Sequence, residues 1–152
     1  MQKLFAIVAA AALFGGCDFQ SVDIDQPVAV ADKFYGALKN GDGKTALAQF
    51  SPAFKAKETE WPRLLENMQR TYGPVTSVTL QNSSLASNGE DPCYLLTYAV
   101  QRRSLASTET LFLCARANVP PWLISGHSLT RADNHQSIAG GMLPSEIGVH
   151  VP

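Results

Sequence analysis

Histidine, tyrosine and cysteine side chains carry most of the chemistry this sequence could do. His127 sits in the run WLISGHSLTR, with Gly126 and Ser128 as neighbours and Ile124 nearby. An imidazole of ordinary pKa, about 6.5, can serve as a general base near neutral pH. No motif places a second polar group beside it, so it reads first as a partly exposed or hydrogen-bonded strand histidine. Asp32, between Ala31 and Lys33, falls on the solvent side of a helix. Tyr94 and Tyr98 share a strand face and could line a pocket, although aromatic strand residues more often build core. His135 and His150 are too far apart to form a ligand cluster, and no metal site is expected. No nucleophile elbow, phosphate loop or dinucleotide fingerprint occurs, so no cofactor is expected. No catalytic set stands out; the weak candidates are His127 and Tyr98.

The cysteines say more. Cys17 ends the stretch MQKLFAIVAAAALFGGC. Lys3 gives a basic start, Leu4 to Phe14 an apolar run, and Gly15–Gly16 a small-residue site before Cys17. Eleven residues of helix reach only about 16 Å, against roughly 30 Å of bilayer hydrocarbon, which is too short for a stable span. The segment resembles a bacterial lipoprotein signal, in which residues 1–16 are removed and the cysteine takes a diacylglyceryl thioether. That resemblance implies a lipid anchor at Cys17 in the bilayer, in the cell envelope and facing the periplasm. Asp18, next to that cysteine, resembles an inner-membrane retention signal. Residues 17–26 then read as a polar tether.

Export would place the other two cysteines where disulfides persist. Cys93 lies in CYLLTYAVQ and Cys114 in TETLFLCAR, with RRSLAS between them, the pattern of a β-hairpin. If Gln101 faces Ala106 across a four-residue loop, the same register sets Cys93 opposite Cys114. Opposed Cβ atoms lie about 4.5–5.5 Å apart, near the reach of a disulfide. Two free buried thiols or a metal pair are the alternatives, and two cysteines without nearby histidines make a poor zinc site.

These side chains need elements to hold them. The 152 residues, with 12 basic against 13 acidic side chains, have the size of one ordinary domain and no basic stripe for nucleic acid. Asp25 can cap a first helix, with Pro27 in its first turn and Val28, Ala31, Phe34, Tyr35 and Leu38 on one face. Asn40–Gly41 ends it, and Asp42 can cap a short second helix. After Ser51–Pro52 another helical turn carries Phe54. Thr59 can cap a third helix with the stripe Trp61, Leu64, Leu65, Met68 and Tyr72, stopped at Gly73–Pro74.

Beyond Pro74 the period becomes two. Strands are expected from Val75 to Ser87, Cys93 to Gln101, Ser107 to Asn118 and Trp122 to Arg131, with a hairpin turn at Asn88–Gly89 and a corner at Pro120–Pro121. Both faces of the cysteine hairpin are apolar, so helices should cover one and a partner, the tail or lipid contact the other. Arg102–Arg103 reads as a solvated hairpin tip that could meet anionic headgroups or an acidic partner. Residues 132–152 read as an extended or disordered tail. Helices followed by antiparallel strands make the class α+β, with three helices on a four-stranded sheet.

Three stretches, AVADKFYGALKNGD, the ALAQFS segment and WLISGHSLTR, resemble the nuclear-transport-factor-2-like, or cystatin-like, superfamily over residues 27–131. Phe34, the Asn40-Gly41-Asp42 turn, Phe50 and Trp122 carry the likeness. The resemblance implies helices packed on a strongly curved antiparallel sheet, forming a cone. Enzymes of that superfamily use an Asp or His inside the cone as general base, which points to His127, Asp32 and Tyr98. The fold hosts many functions, so two expectations stand. One is a non-catalytic scaffold or binding domain for an envelope protein or a small apolar ligand. The other is a periplasmic isomerase or dehydratase. An acid–base pair beside an open cavity favours the enzyme, and a filled cone opposes it.

Overall fold

The computed structural model of the chain describes residues 23–88, 91–116 and 119–142. The segment expected to be a signal, Cys17 and the expected tether up to residue 22 lie outside the described residues. Four helices precede five strands: α1 Asp25–Lys39, α2 Gly43–Ala48, α3 Pro52–Lys57, α4 Trp61–Tyr72, then β1 Val75–Asn88, β2 Asp91–Arg102, β3 Ala106–Arg116, β4 Val119–Arg131 and β5 Ser137–Gly141. The class is α+β, with one more helix and one more strand than the sequence pattern predicts.

Local signals account for most boundaries. The Asp42 carboxylate accepts from the Thr45 N–H and caps α2, while the Ser51 hydroxyl accepts from the Phe54 N–H and caps α3. That second cap turns the expected single turn around Phe54 into a helix. Helix α1 begins at Asp25, two residues before the expected domain start, and the Asp23 carboxylate accepts from the Asp25 N–H. The expected Thr59 cap is not formed; Glu60 holds the N-cap position of α4 without a side-chain bond. Gly73, at φ 80°, ends α4 in a conformation few other residues adopt.

The sheet is antiparallel throughout, in the order β1-β2-β3-β4-β5, and open, with β1 and β5 at its edges. Gln101 pairs with Ala106 and Cys93 with Cys114, the register read from the hairpin pattern. A disulfide joins the two cysteines. Pro120 and Pro121 lie within β4 instead of forming a corner.

The fifth strand comes from the segment read as tail. Its Gly140–Gly141 pair, ordinarily a sign of a loose chain, reflects close approach. A Cβ on Gly140 would meet the Trp61 ring at 2.6 Å, and one on Gly141 would meet the Phe54 ring at 2.5 Å. The Gly141 N–H also donates to the Glu58 carboxylate at 2.9 Å, which ties β5 to the helices.

The helices cover one sheet face. Phe34, Phe50, Phe54, Trp61, Leu65, Leu96, Leu111, Leu113 and Ile124 form the main core there. Gln49 and Ser51 bond the backbone of Ile124 and pin the α2–α3 junction to β4. On the opposite face Cys93, Phe112 and Ala86 form a smaller cluster packed by Leu95, Cys114 and Met142. On this second apolar face of the hairpin Ala86 of β1 and Met142, just after β5, pack beside the disulfide, while Leu95 and Cys114 stay partly exposed. The inner face of β1 is covered at Val75 and Val78 but open further along the strand. Leu80 opposes Tyr98 and Leu85 opposes Tyr94, so both point to the helix side, yet they stay 41% and 61% exposed.

Candidate functional site

The charged residues the fold buries are gathered at one point. Ser107 and Glu109 alternate with Leu111 and Leu113 on β3, so they share the inward face. Arg102 continues the inward series Leu96, Tyr98, Val100 at the end of β2. His127 opposes Leu111 from β4 and therefore faces the same way. Tyr35 reaches in from the buried stripe of α1. Glu109 and His127 are 0% exposed and Arg102 2%.

Glu109 is the centre of this network. Its Oε1 accepts from Arg102 Nη1 at 2.6 Å and from the Ser107 hydroxyl at 3.0 Å. Its Oε2 takes His127 Nε2 at 3.1 Å and the Tyr35 hydroxyl at 3.3 Å. A carboxylate has about four lone-pair directions, and all four are taken. An ionised carboxylate only accepts, so Nε2 is the donor nitrogen of His127. Burial pushes the Glu109 carboxyl up, but the His127 hydrogen bond and the Arg102 charge outweigh burial and hold it at about 2. Burial, then the Glu109 charge, push the Tyr35 hydroxyl well above its ordinary value, so it stays a donor. The rings of Phe34, Phe50 and Trp61 enclose His127, with centroids 5.5, 6.2 and 5.5 Å away. Its Nδ1 has no partner among the described residues.

None of the three clefts described opens onto Glu109, His127 or Arg102. One, of about 710 Å³, lies between the α1–α2 turn and α4. A second, of about 850 Å³, lies between α3 and the disulfide end of the sheet. The third, of about 330 Å³, lies between α1 and strands β1 and β2, and is lined by Tyr98, Asp32 and Tyr35 among others.

The sequence-derived candidates thus divide. His127 is the hydrogen-bonded strand histidine of the two readings, fully buried and not partly exposed, and its partner is the Glu109 carboxylate. Arg102 corrects the reading of a solvated tip, because it turns inward to neutralise Glu109, while Arg103 is exposed. Asp32 is exposed on α1 as expected and shares a cleft with Tyr98. Cys93 and Cys114 form the disulfide, and Cys17 lies outside the described residues. Among the described residues no cluster of His, Cys, Asp and Glu could hold a metal ion, and no helix is long and apolar enough to cross a membrane.

Glu109 was missed, although a signal existed. In the hairpin register it opposes Tyr98 and shares the parity of Leu111 and Leu113. An acid on a core face requires a buried cation, and Arg102 is the basic residue of matching parity on β2. Comparison with protein-family models, with curated proteins and with solved structures finds no match to the chain.

Proposed function

We propose that the chain is a lipid-anchored envelope protein whose folded domain binds or scaffolds and does not catalyse. The saturation of Glu109 carries this reading. A general base needs a free lone pair within reach of substrate and a pKa near the working pH. The Glu109 lone pairs are all occupied and its carboxyl is held at about 2, while His127, whose Nδ1 has no partner among the described residues, is fully buried among aromatic rings with none of the described clefts opening onto it. Such a set fits a charged core network that fixes β2, β3, β4 and α1 against one another. The anchor rests on Cys17 behind its apolar run. Kinship with the nuclear-transport-factor-2-like superfamily draws support from the element order, helices first and then an antiparallel meander.

Two experiments test this. The intact mass of the detergent-extracted protein should correspond to a chain starting at Cys17 with its acyl groups; an unlipidated chain would remove the anchor. His127→Gln keeps a donor for Glu109. It should fold and complement whatever defect loss of the gene causes. A folded variant that fails to complement would move the assignment to a periplasmic enzyme of isomerase or dehydratase type.

A further inference from the structure

An unanswered polar group belongs to a residue that lines the smallest of the three described clefts. Tyr98 is 3% exposed, and its hydroxyl has no hydrogen-bond partner among the described residues. Buried hydroxyls are nearly always paired, because an unpaired one forfeits its bonds to water. This hydroxyl belongs to a residue that lines the cleft, beside Asp32 of α1. The Asp32 side chain makes no hydrogen bond or ion pair with another described residue, so its carboxylate is free to accept. Burial, then the negative field of Asp32, push the Tyr98 hydroxyl above its ordinary value, so it stays protonated with its lone pairs available.

The walls narrow the ligand class. Tyr35 and Tyr98 both line the cleft and pack edge to face, with ring centroids 5.1 Å apart. Val28, Val78 and Leu80 supply apolar surface. Lys39 lies two turns along α1 from Asp32, about 10 Å away at 1.5 Å per residue, and repels a second positive charge. A ligand answering all of these carries one ammonium group and a short aliphatic body.

We propose that the cleft between α1 and strands β1 and β2 is a binding site for a small aliphatic monoammonium compound. The ammonium donates to the Asp32 carboxylate and to the Tyr98 hydroxyl oxygen, and the aliphatic chain lies against Val78 and Leu80. A volume of about 330 Å³ matches the low end of small-molecule sites. The site rests on the binding-domain reading and supplies its ligand class.

The test is calorimetric titration of the purified mature chain with three probes of equal length: n-hexylammonium, hexan-1-ol and hexanoate. Hexylammonium should bind saturably, hexanol about tenfold more weakly, and hexanoate weakest of all. Asp32→Asn should weaken hexylammonium about tenfold. Tyr98→Phe keeps the ring and should weaken it severalfold. Equal binding of the three probes, preference for hexanoate, absence of binding, or an unchanged affinity in Asp32→Asn would each overturn the proposal. Absent binding alongside a complementing His127→Gln would remove the cleft and leave the scaffold. Intact binding alongside a folded, non-complementing His127→Gln would keep the cleft and remove the non-catalytic reading.

Discussion

Two neighbouring tyrosines face opposite situations. The Tyr35 hydroxyl donates to a fully buried carboxylate whose other acceptor positions are filled by Arg102, Ser107 and His127. The Tyr98 hydroxyl, on the adjoining ring, is equally buried from water and bonded to nothing described. Glu109 has every acceptor position filled from inside the fold and none of the described clefts opens onto it, although His127 Nδ1 in the same network lacks a partner among the described residues. The α1/β1–β2 cleft is open, and Tyr98, which lines it, has a hydroxyl without a described partner. The difference teaches that burial of polar groups does not by itself mark a functional site. A buried group whose partners are all internal holds a fold together, whereas one that lacks a partner beside open space invites one from outside.

The largest expected effect comes from breaking the closed region. Glu109→Gln strands the buried Arg102 guanidinium without its counter-charge and should cost about 3–5 kcal/mol in denaturant unfolding. Adding Arg102→Met should recover part of that loss by removing the stranded cation. Recovery should stay partial, because glutamine keeps a single acceptor oxygen and its amide nitrogen would face either Ser107 or the Tyr35 and His127 pair, all donors to Glu109. A loss below about 1 kcal/mol in Glu109→Gln would mean that water enters the network, so that the two regions are alike.

Acid should have the next largest effect. The Glu109 carboxyl is held at about 2, below its ordinary value near 4.5. A group depressed on folding stabilises the native state above its unfolded pKa, and that contribution fades as pH falls toward the folded value. On the order of 3 kcal/mol should therefore be present at pH 6 and lost progressively between about pH 5 and pH 2. Unfolding midpoints across this range should show the slope, and Glu109→Gln should flatten it.

The hairpin was legible in the sequence because three constraints agreed. Two β-prone runs, a polar stretch between them and a four-residue loop set Cys93 opposite Cys114, the pairing observed. The stripes of α1 and α4 were legible for the same reason: Phe34, Tyr35, Leu38, Trp61, Leu65 and Met68 recur at helical spacing and are all buried. Strand β5 was not, because Ser137–Gly141 is stabilised by what lies above it, the Trp61 and Phe54 rings, and not by its own propensity. Arg102 was misread because charge at a hairpin tip normally turns to solvent, and only the buried acid seven residues later reverses that. Tyr98 was singled out as a residue type, while its lack of a partner depends on how α1 packs over β1 and β2, which no local pattern encodes.

The smallest effect is also the most direct. Tyr35→Phe and Tyr98→Phe each delete one oxygen and keep the ring, from side chains that touch. In unliganded protein, Tyr35→Phe should destabilise by about 1.5–3 kcal/mol, the worth of a hydrogen bond to a charged group. Tyr98→Phe should leave stability unchanged or raise it by about 1 kcal/mol, because an unpaired buried hydroxyl is removed. Paired chemical unfolding of the two variants against the parent measures this. Opposite responses of these signs support a closed network beside an open site; equal losses in both variants would contradict it.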